Sequence, residues 1–228
     1  MSPLSAKKHP AKQSIKVAVD NCIFTVIAGE LHVLLIQMKK KPYDGVWALP
    51  GGLVYDRESI DHAAVRILQE ETGVGNVFLE QLYTFGAEGR DPFGRVVSVA
   101  YLALIPVGGV KLRTIARYAD VRWWPIRRVP KLAYDHNDIA RYAKRRLAWK
   151  VEYTNAAWSL LPPKFTLTEL QTVYEVVLGR AIDKRNFRKK ILVLNLIASV
   201  GEKVAHGAHR PAMLYRFLTH APTIIEIL

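Results

Sequence analysis

An α/β/α sandwich with a mixed sheet, followed by a small domain of two helices and a hairpin, is the architecture this chain predicts. Three observations carry it. Several β-branched and aromatic runs alternate with helical periodicity over the first two thirds of the 228 residues. A double-proline break stands at 160–165 (LLPPKF), and the segment beyond it changes to short, basic helices. Half of the residues are apolar, enough for a sizeable core.

The elements follow in order. Residues 1–13 are polar and basic, without an apolar core of the secretory type, and read as a disordered arm. Residues 15–28 (IKVAVDNCIFTVIA) and 31–38 (LHVLLIQM) read as strands joined in a hairpin at Gly29-Glu30. VWALPGGL is a short strand that breaks at Pro50-Gly51-Gly52, and a helix is expected from Glu58 or Ser59 to a C-cap at Gly73. Strands follow at 77–85, 96–107 and 119–126, and a Gly-rich loop (GAEGRDPFGR) separates the first two. DHNDIARYAKRRLAWKVEYT places Ile139, Tyr142, Ala143 and Leu147 on one helical stripe. The first domain is therefore set at 14–157 and the second at 158–228. In the second, Thr166 or Thr168 caps a helix that closes at Gly179, and Asp183 caps a basic helix. LNLIASV and AMLYRF flank GEKVAHGAHRP as a hairpin wing. Helix, basic helix and wing make a winged helix-turn-helix pattern.

Composition narrows the function. The formal charge of +13 points toward phosphate-rich partners. It does not locate a face: 111–150 carries twelve Lys/Arg against three Asp, and 164–228 ten against five acidic residues. No run is long enough to span a bilayer, and one thiol, Cys22, excludes a disulfide framework or a zinc site of cysteines. A cytoplasmic location is expected.

The sharpest signal is GLVYDRESIDHAAVRILQEETGV, from Gly52 to Val74. It resembles the Nudix box, G-x5-E-x7-R-E-U-x-E-E-x-G-U with U apolar, and keeps Gly52, Glu58, Arg66, Glu70, Glu71 and Gly73. Ile67 stands where the box has a glutamate. Residues 67, 70 and 71 are i, i+3 and i+4 on a helix and share a face. In that family three glutamates there hold Mg²⁺ or Mn²⁺ against a pyrophosphate, which a hard cation needs several oxygens to do. With Ile67 the expected metal ligands reduce to Glu70 and Glu71, a weak or vestigial site, and a solvated helix face is the alternative. Glu58 and Arg66 are a structural pair in the family, so the loop shape is expected to persist while the chemistry is impaired. Catalysis is not expected and no cofactor is required, with Mg²⁺ at the vestigial site left open.

In the second domain Lys184, Arg185, Asn186, Arg188, Lys189 and Lys190 crowd one short helix. Alone that is an ordinary solvated face; before a basic wing it reads as a DNA-recognition helix. Arg185 and Asn186 suit base edges, guanine and adenine respectively. Lys184, Arg188, Lys189 and Lys190 suit phosphates, with Lys203, His209 and Arg210 on the wing.

Together PKFTLTELQTVYEVVLGRAIDKRNFRKKIL, GAHRPAMLYRF, WALPGGLV and GRDPFGRVVSVAYLAL resemble the Nudix-related transcriptional regulators of the NrtR-like branch. The resemblance covers nearly the whole chain beyond the arm. It implies a homodimer on palindromic operator DNA, repressing NAD-biosynthesis genes until ADP-ribose or a related nucleotide binds the Nudix domain. Trp47 or Phe93 would stack on an adenine, and Arg66, Arg90 and Arg95 would lie at the ligand; core packing and turn solvation are the alternatives. A Mg²⁺-dependent ADP-ribose pyrophosphatase with an attached DNA-binding domain, and a pentose-responsive regulator, are the competing readings.

Overall fold

The computed structural model describes residues 14–73, 77–106, 108, 112, 116–205, 211–221, 223–225 and 227. The expected N-terminal arm, and His209 and Arg210 on the wing, lie outside the described residues.

Strands β1 (Lys16–Ile27) and β2 (Glu30–Met38) form the hairpin. Its two turn residues are Ala28 and Gly29, both at positive φ, rather than Gly29-Glu30. That geometry matches the right-handed twist of the flanking strands. The expected VWALPGGL strand divides into β3 (Trp47–Ala48) on β2 and β4 (Gly51–Leu53) on β1. Leu49 and Pro50 make the step between them, because β3 and β4 pair with different strands. β5 (Phe78–Phe85), β6 (Val96–Leu104) and β7 (Tyr118–Pro125) complete a seven-stranded sheet along β3-β2-β1-β6-β5, with β4 on β1 and β7 on β2. Only β1 and β6 run parallel among these pairs, so the sheet is mixed.

Alternation along β1 decides which helix lies on which face. Val19 packs with Ala63, Ala64 and Ile67 of α1 (Ile60–Thr72). Cys22, Phe24 and Val26 join Ile139, Ala143 and Leu147 of α2 (His136–Tyr153). The two helices cover opposite faces, which is the α/β/α sandwich. α1 starts where the Ser59 hydroxyl accepts the His62 N–H at 3.2 Å and stops where Gly73 turns left-handed, φ 69°.

Beyond Pro162-Pro163 come β8 (Phe165–Thr166), α3 (Leu167–Leu178), α4 (Lys184–Val193), β9 (Ile197–Val204) and β10 (Ala212–Phe217). β8, unmarked in the sequence because it is two residues long, adds a third strand to the wing in the order β8-β10-β9. Thr166 and Glu169 form a reciprocal capping box at the start of α3. Leu170, Val173, Tyr174 and Val177 of α3 belong to the same apolar cluster as Leu147 and Val151 of α2, so the two halves share one core. The last residues return to the first half: Ile225 N–H donates to Tyr153 O and Ile227 N–H to Glu152 O, both at 2.8 Å. No helix among the described residues is long and apolar enough to cross a membrane.

Candidate ligand cavity and DNA-binding face

A cavity of about 250 Å³ opens where β1, β4 and the N-terminus of α2 converge. Its floor is a buried polar network. Asp20, an acid in an otherwise apolar strand, accepts from the Ser98 hydroxyl at 2.6 Å and from Arg90 Nη2 at 3.1 Å. His136 Nε2 lies 3.4 Å from its other oxygen. The Leu49 N–H donates to His136 Nδ1 at 2.9 Å, which leaves Nε2 as the protonated nitrogen facing Asp20. Burial works against the charge on Asp20, but His136, Ser98 and Arg90 outweigh it and hold the acid at about 2. Arg90 also forks onto Asp135 at 2.7 and 2.9 Å. Its side chain is 3% exposed. Arg90 thus lines the cavity with its Nε and Nη2 held by two carboxylates.

Gly51 is forced by this network. A Cβ there would lie 2.2 Å from Asp20 Oδ1 and 2.9 Å from Val19 O. The loop after it is tied by Arg66, whose Nε and Nη2 donate to the two Glu58 oxygens at 2.7 and 2.9 Å. Arg66 also donates to Leu53 O at 3.2 Å, touches Glu70 at 3.4 Å, and lies over the Tyr55 ring. Its donors are spent on the loop, a positioning role.

The face of α1 that would hold a metal is altered. Ile67 is fully buried with Val19, Val99 and Tyr101. Glu70 is partly exposed, whereas the Glu71 side chain is buried, and its Oε2 has no partner among the described residues. Burial pushes the Glu71 carboxyl up to about 6 against the opposing pull of Tyr118 and Arg117. Arg117 Nη2 lies 3.3 Å from Glu71 Oε1 and 3.5 Å from Glu70 Oε2. Among the described residues no three acidic, His or Cys side chains gather as a metal site.

The other expected ligand residues lie off this cavity. Trp47 is half-buried, edge-on to Trp124 at 5.2 Å, with Arg122 over its ring. Phe93 is exposed, and Arg95 donates to Gly86 O and Ala87 O, bracing its own loop. None of the three lines the cavity. Sequence reasoning missed Asp20, Ser98, His136 and Arg117. A charge inside VAVDNCIF was a readable signal for Asp20; Arg117 had none, because its partners lie 46 and 47 positions away.

On the second half, Lys184, Arg185, Asn186, Lys189 and Lys190 are exposed along α4, while Phe187 and Ile191 are buried beneath it. The Asp183 carboxylate accepts the Asn186 N–H at 2.8 Å and sets the start of the helix. Arg188 is half-buried and donates from Nη2 to Thr168 Oγ1 at 2.9 Å, linking α4 to α3. Lys203 is exposed on β9.

A sandwich with this box, joined through a shared core to a winged helix whose second helix is basic, defines a class: ligand-sensing regulators that bind DNA. Residues 17–147 match the Nudix domain, and residues 157–217 match the NrtR DNA-binding winged helix domain. The chain belongs to the Nudix-related regulators of the NrtR family. The ADPR-responsive transcriptional repressor NtrR of Acinetobacter baylyi is 38% identical over 205 residues, 88% of this chain and 81% of that one. The crystal structure of Shewanella oneidensis NrtR complexed with a 27mer DNA superposes with a TM-score of 0.79 at 37% identity, covering 88% and 93% of the two chains. The Nudix domain of that protein complexed with ADP-ribose gives 0.55 at 37% identity, covering 62% and 95%.

Proposed function

We propose that this chain is a homodimeric, cytoplasmic repressor that binds palindromic operator DNA through α4 and the wing, and that ADP-ribose or a related nucleotide in the Nudix cavity releases it. NAD-biosynthesis or salvage genes are the proposed targets, because the relatives respond to or bind ADP-ribose, a fragment of NAD.

The observation that carries the coupling is the path of α2. Its N-cap Asp135 and first residue His136 belong to the cavity network. Its far end, an 18-residue helix or about 27 Å away, holds the DNA-binding half. There Glu152 pairs with Arg180 at 3.4 Å, Tyr153 accepts from Ile225, and Val151 sits in the core shared with α3. A ligand that shifts the α2 N-terminus moves the winged helices, and half-site spacing is strict. Lys39, Lys40 and Arg117 at the cavity favour a phosphate-bearing ligand over an uncharged pentose.

Hydrolysis is not the proposed job. A hard divalent ion seeks six or so oxygens, and α1 offers two carboxylates with a guanidinium between them. These residues do not fit a catalytic magnesium centre. We assign base reading to Arg185 and Asn186 and phosphate contacts to Lys184, Lys189, Lys190 and Lys203.

Fluorescence anisotropy on the DNA upstream of this chain's own gene, titrated with ADP-ribose at fixed salt, tests the proposal. Release at micromolar ADP-ribose is expected. Indifference to every nucleotide, or rapid Mg²⁺-dependent turnover of ADP-ribose, would overturn it.

A further inference from the structure

The cavity wall beside α1 carries a cation that belongs to the chain itself. Arg117 contacts both box glutamates through one nitrogen, Nη2, at 3.3 and 3.5 Å. Both distances exceed the roughly 2.7–2.9 Å of a strong charge-assisted hydrogen bond. These contacts use one of its three nitrogens and the Tyr118 side chain is a further partner, so several of the five guanidinium donors are left over. The side chain is 43% exposed and lines the cavity together with Gly51, Gly52 and Leu53. The Tyr118 ring, 4.8 Å from the guanidinium carbon, supports it from one side. Lys39 reaches the same rim, with Nζ donating to Ala116 O at 3.2 Å.

The charges around this point fix what an anion would meet. Glu58, Glu70 and Glu71 bring three carboxylates to the box, and Arg66 is consumed by the first two. Without Arg117, Glu71 and the outer edge of Glu70 would repel a diphosphate. With it, a planar fork with unspent donors faces the cavity, and such a fork matches phosphate oxygens two at a time.

We propose that Arg117 is the resident cation of a diphosphate subsite: Glu70 and Glu71 hold one edge of its guanidinium, the free edge binds the ligand's diphosphate, and recognition needs no divalent metal. This rests on the reading of the cavity as a nucleotide-diphosphate site. The arrangement also separates binding from turnover, since a guanidinium neutralises phosphate charge but cannot supply an activated water as a metal does.

The test is calorimetric titration of the full chain with ADP-ribose and, separately, with inorganic pyrophosphate, each in EDTA and in Mg²⁺. Equal ADP-ribose affinity in the two conditions, within about twofold, is expected. Arg117→Ala should weaken it about 10- to 100-fold, the range for a hydrogen-bonded charge. Arg117→Lys keeps the charge without the fork and should fall between. Adding Glu71→Gln to Arg117→Ala should recover part of the loss, which a merely structural role would not give. Unchanged melting temperatures check folding. ADP-ribose binding that requires Mg²⁺, or that survives Arg117→Ala, would overturn the assignment and leave the repressor reading standing. Pyrophosphate binding that depends on Arg117 in EDTA, with no binding of ADP-ribose, would keep the resident cation and sink the nucleotide reading. No binding of either probe would overturn both.

Discussion

Asp20 and Gly51 in the cavity wall, and Ile67 in the apolar cluster beneath α1, show what single residues decide here. Asp20 is held at about 2, below the 3.8 of a free aspartate, so the unfolded chain binds the proton more readily. Its stabilisation is complete above about pH 4 and disappears as pH falls toward 2, and the shift corresponds to about 2 kcal/mol. Wild type and Asp20→Asn should therefore differ by roughly that much in urea melts at pH 7 and converge near pH 2. A constant difference across that range would rule out the ionised Asp20 as the source. Gly51→Ala drives a methyl into Asp20 Oδ1 and Val19 O. We expect a loss of about 2–3 kcal/mol, read as a fall in melting temperature together with weaker ligand binding. Restoring the box glutamate by Ile67→Glu places a carboxylate among Val19, Ala64 and Val99. The expected result is a loss of about 3 kcal/mol and no ADP-ribose hydrolysis, since a buried unpaired charge is costly. A stable variant that turns over ADP-ribose would show that the site tolerates the ligand.

Among the elements, α4 and α2 carry the two proposed tasks, reading DNA and transmitting the ligand signal. On α4, burial of Phe187 and Ile191 turns Lys184, Arg185, Asn186, Lys189 and Lys190 outward. Arg185→Ala should cost about 1–3 kcal/mol on the operator and little on random DNA, measured by competition at fixed salt. Equal losses on both would reassign Arg185 to phosphate. The elements were readable wherever local composition or spacing is distinctive: the β-branched and aromatic run of β1, and the stripe Leu170, Val173, Tyr174, Val177 of α3, are printed in the residues themselves. Ser59 and Gly73 likewise announce the ends of α1 through local hydrogen bonds and a left-handed turn. What stayed hidden depends on distance along the chain. β4 leaves β3 to pair with β1, Arg90 folds onto Asp135 at a separation of 45, and Arg117 reaches Glu71 at 46. A loop arginine looks the same in sequence whether it faces water or two glutamates.

Across the whole molecule, the boundary at LLPPKF is a break in secondary structure and not in packing. Leu160, Leu161 and Phe165 sit in the same cluster as Phe24 and Tyr174, and the C-terminal residues clasp the end of α2. Two halves that share a core and one long helix cannot shift independently, which is what coupling between a cavity and a DNA surface requires. Linkage makes that coupling reciprocal: if ADP-ribose lowers operator affinity by some factor, operator DNA must lower ADP-ribose affinity by the same factor. The decisive measurement is the dissociation constant of ADP-ribose for the free protein and for the operator complex. Binding to both is expected, weaker in the complex by about 5- to 150-fold. Identical constants would contradict the proposed release, because a ligand indifferent to bound DNA cannot displace that DNA.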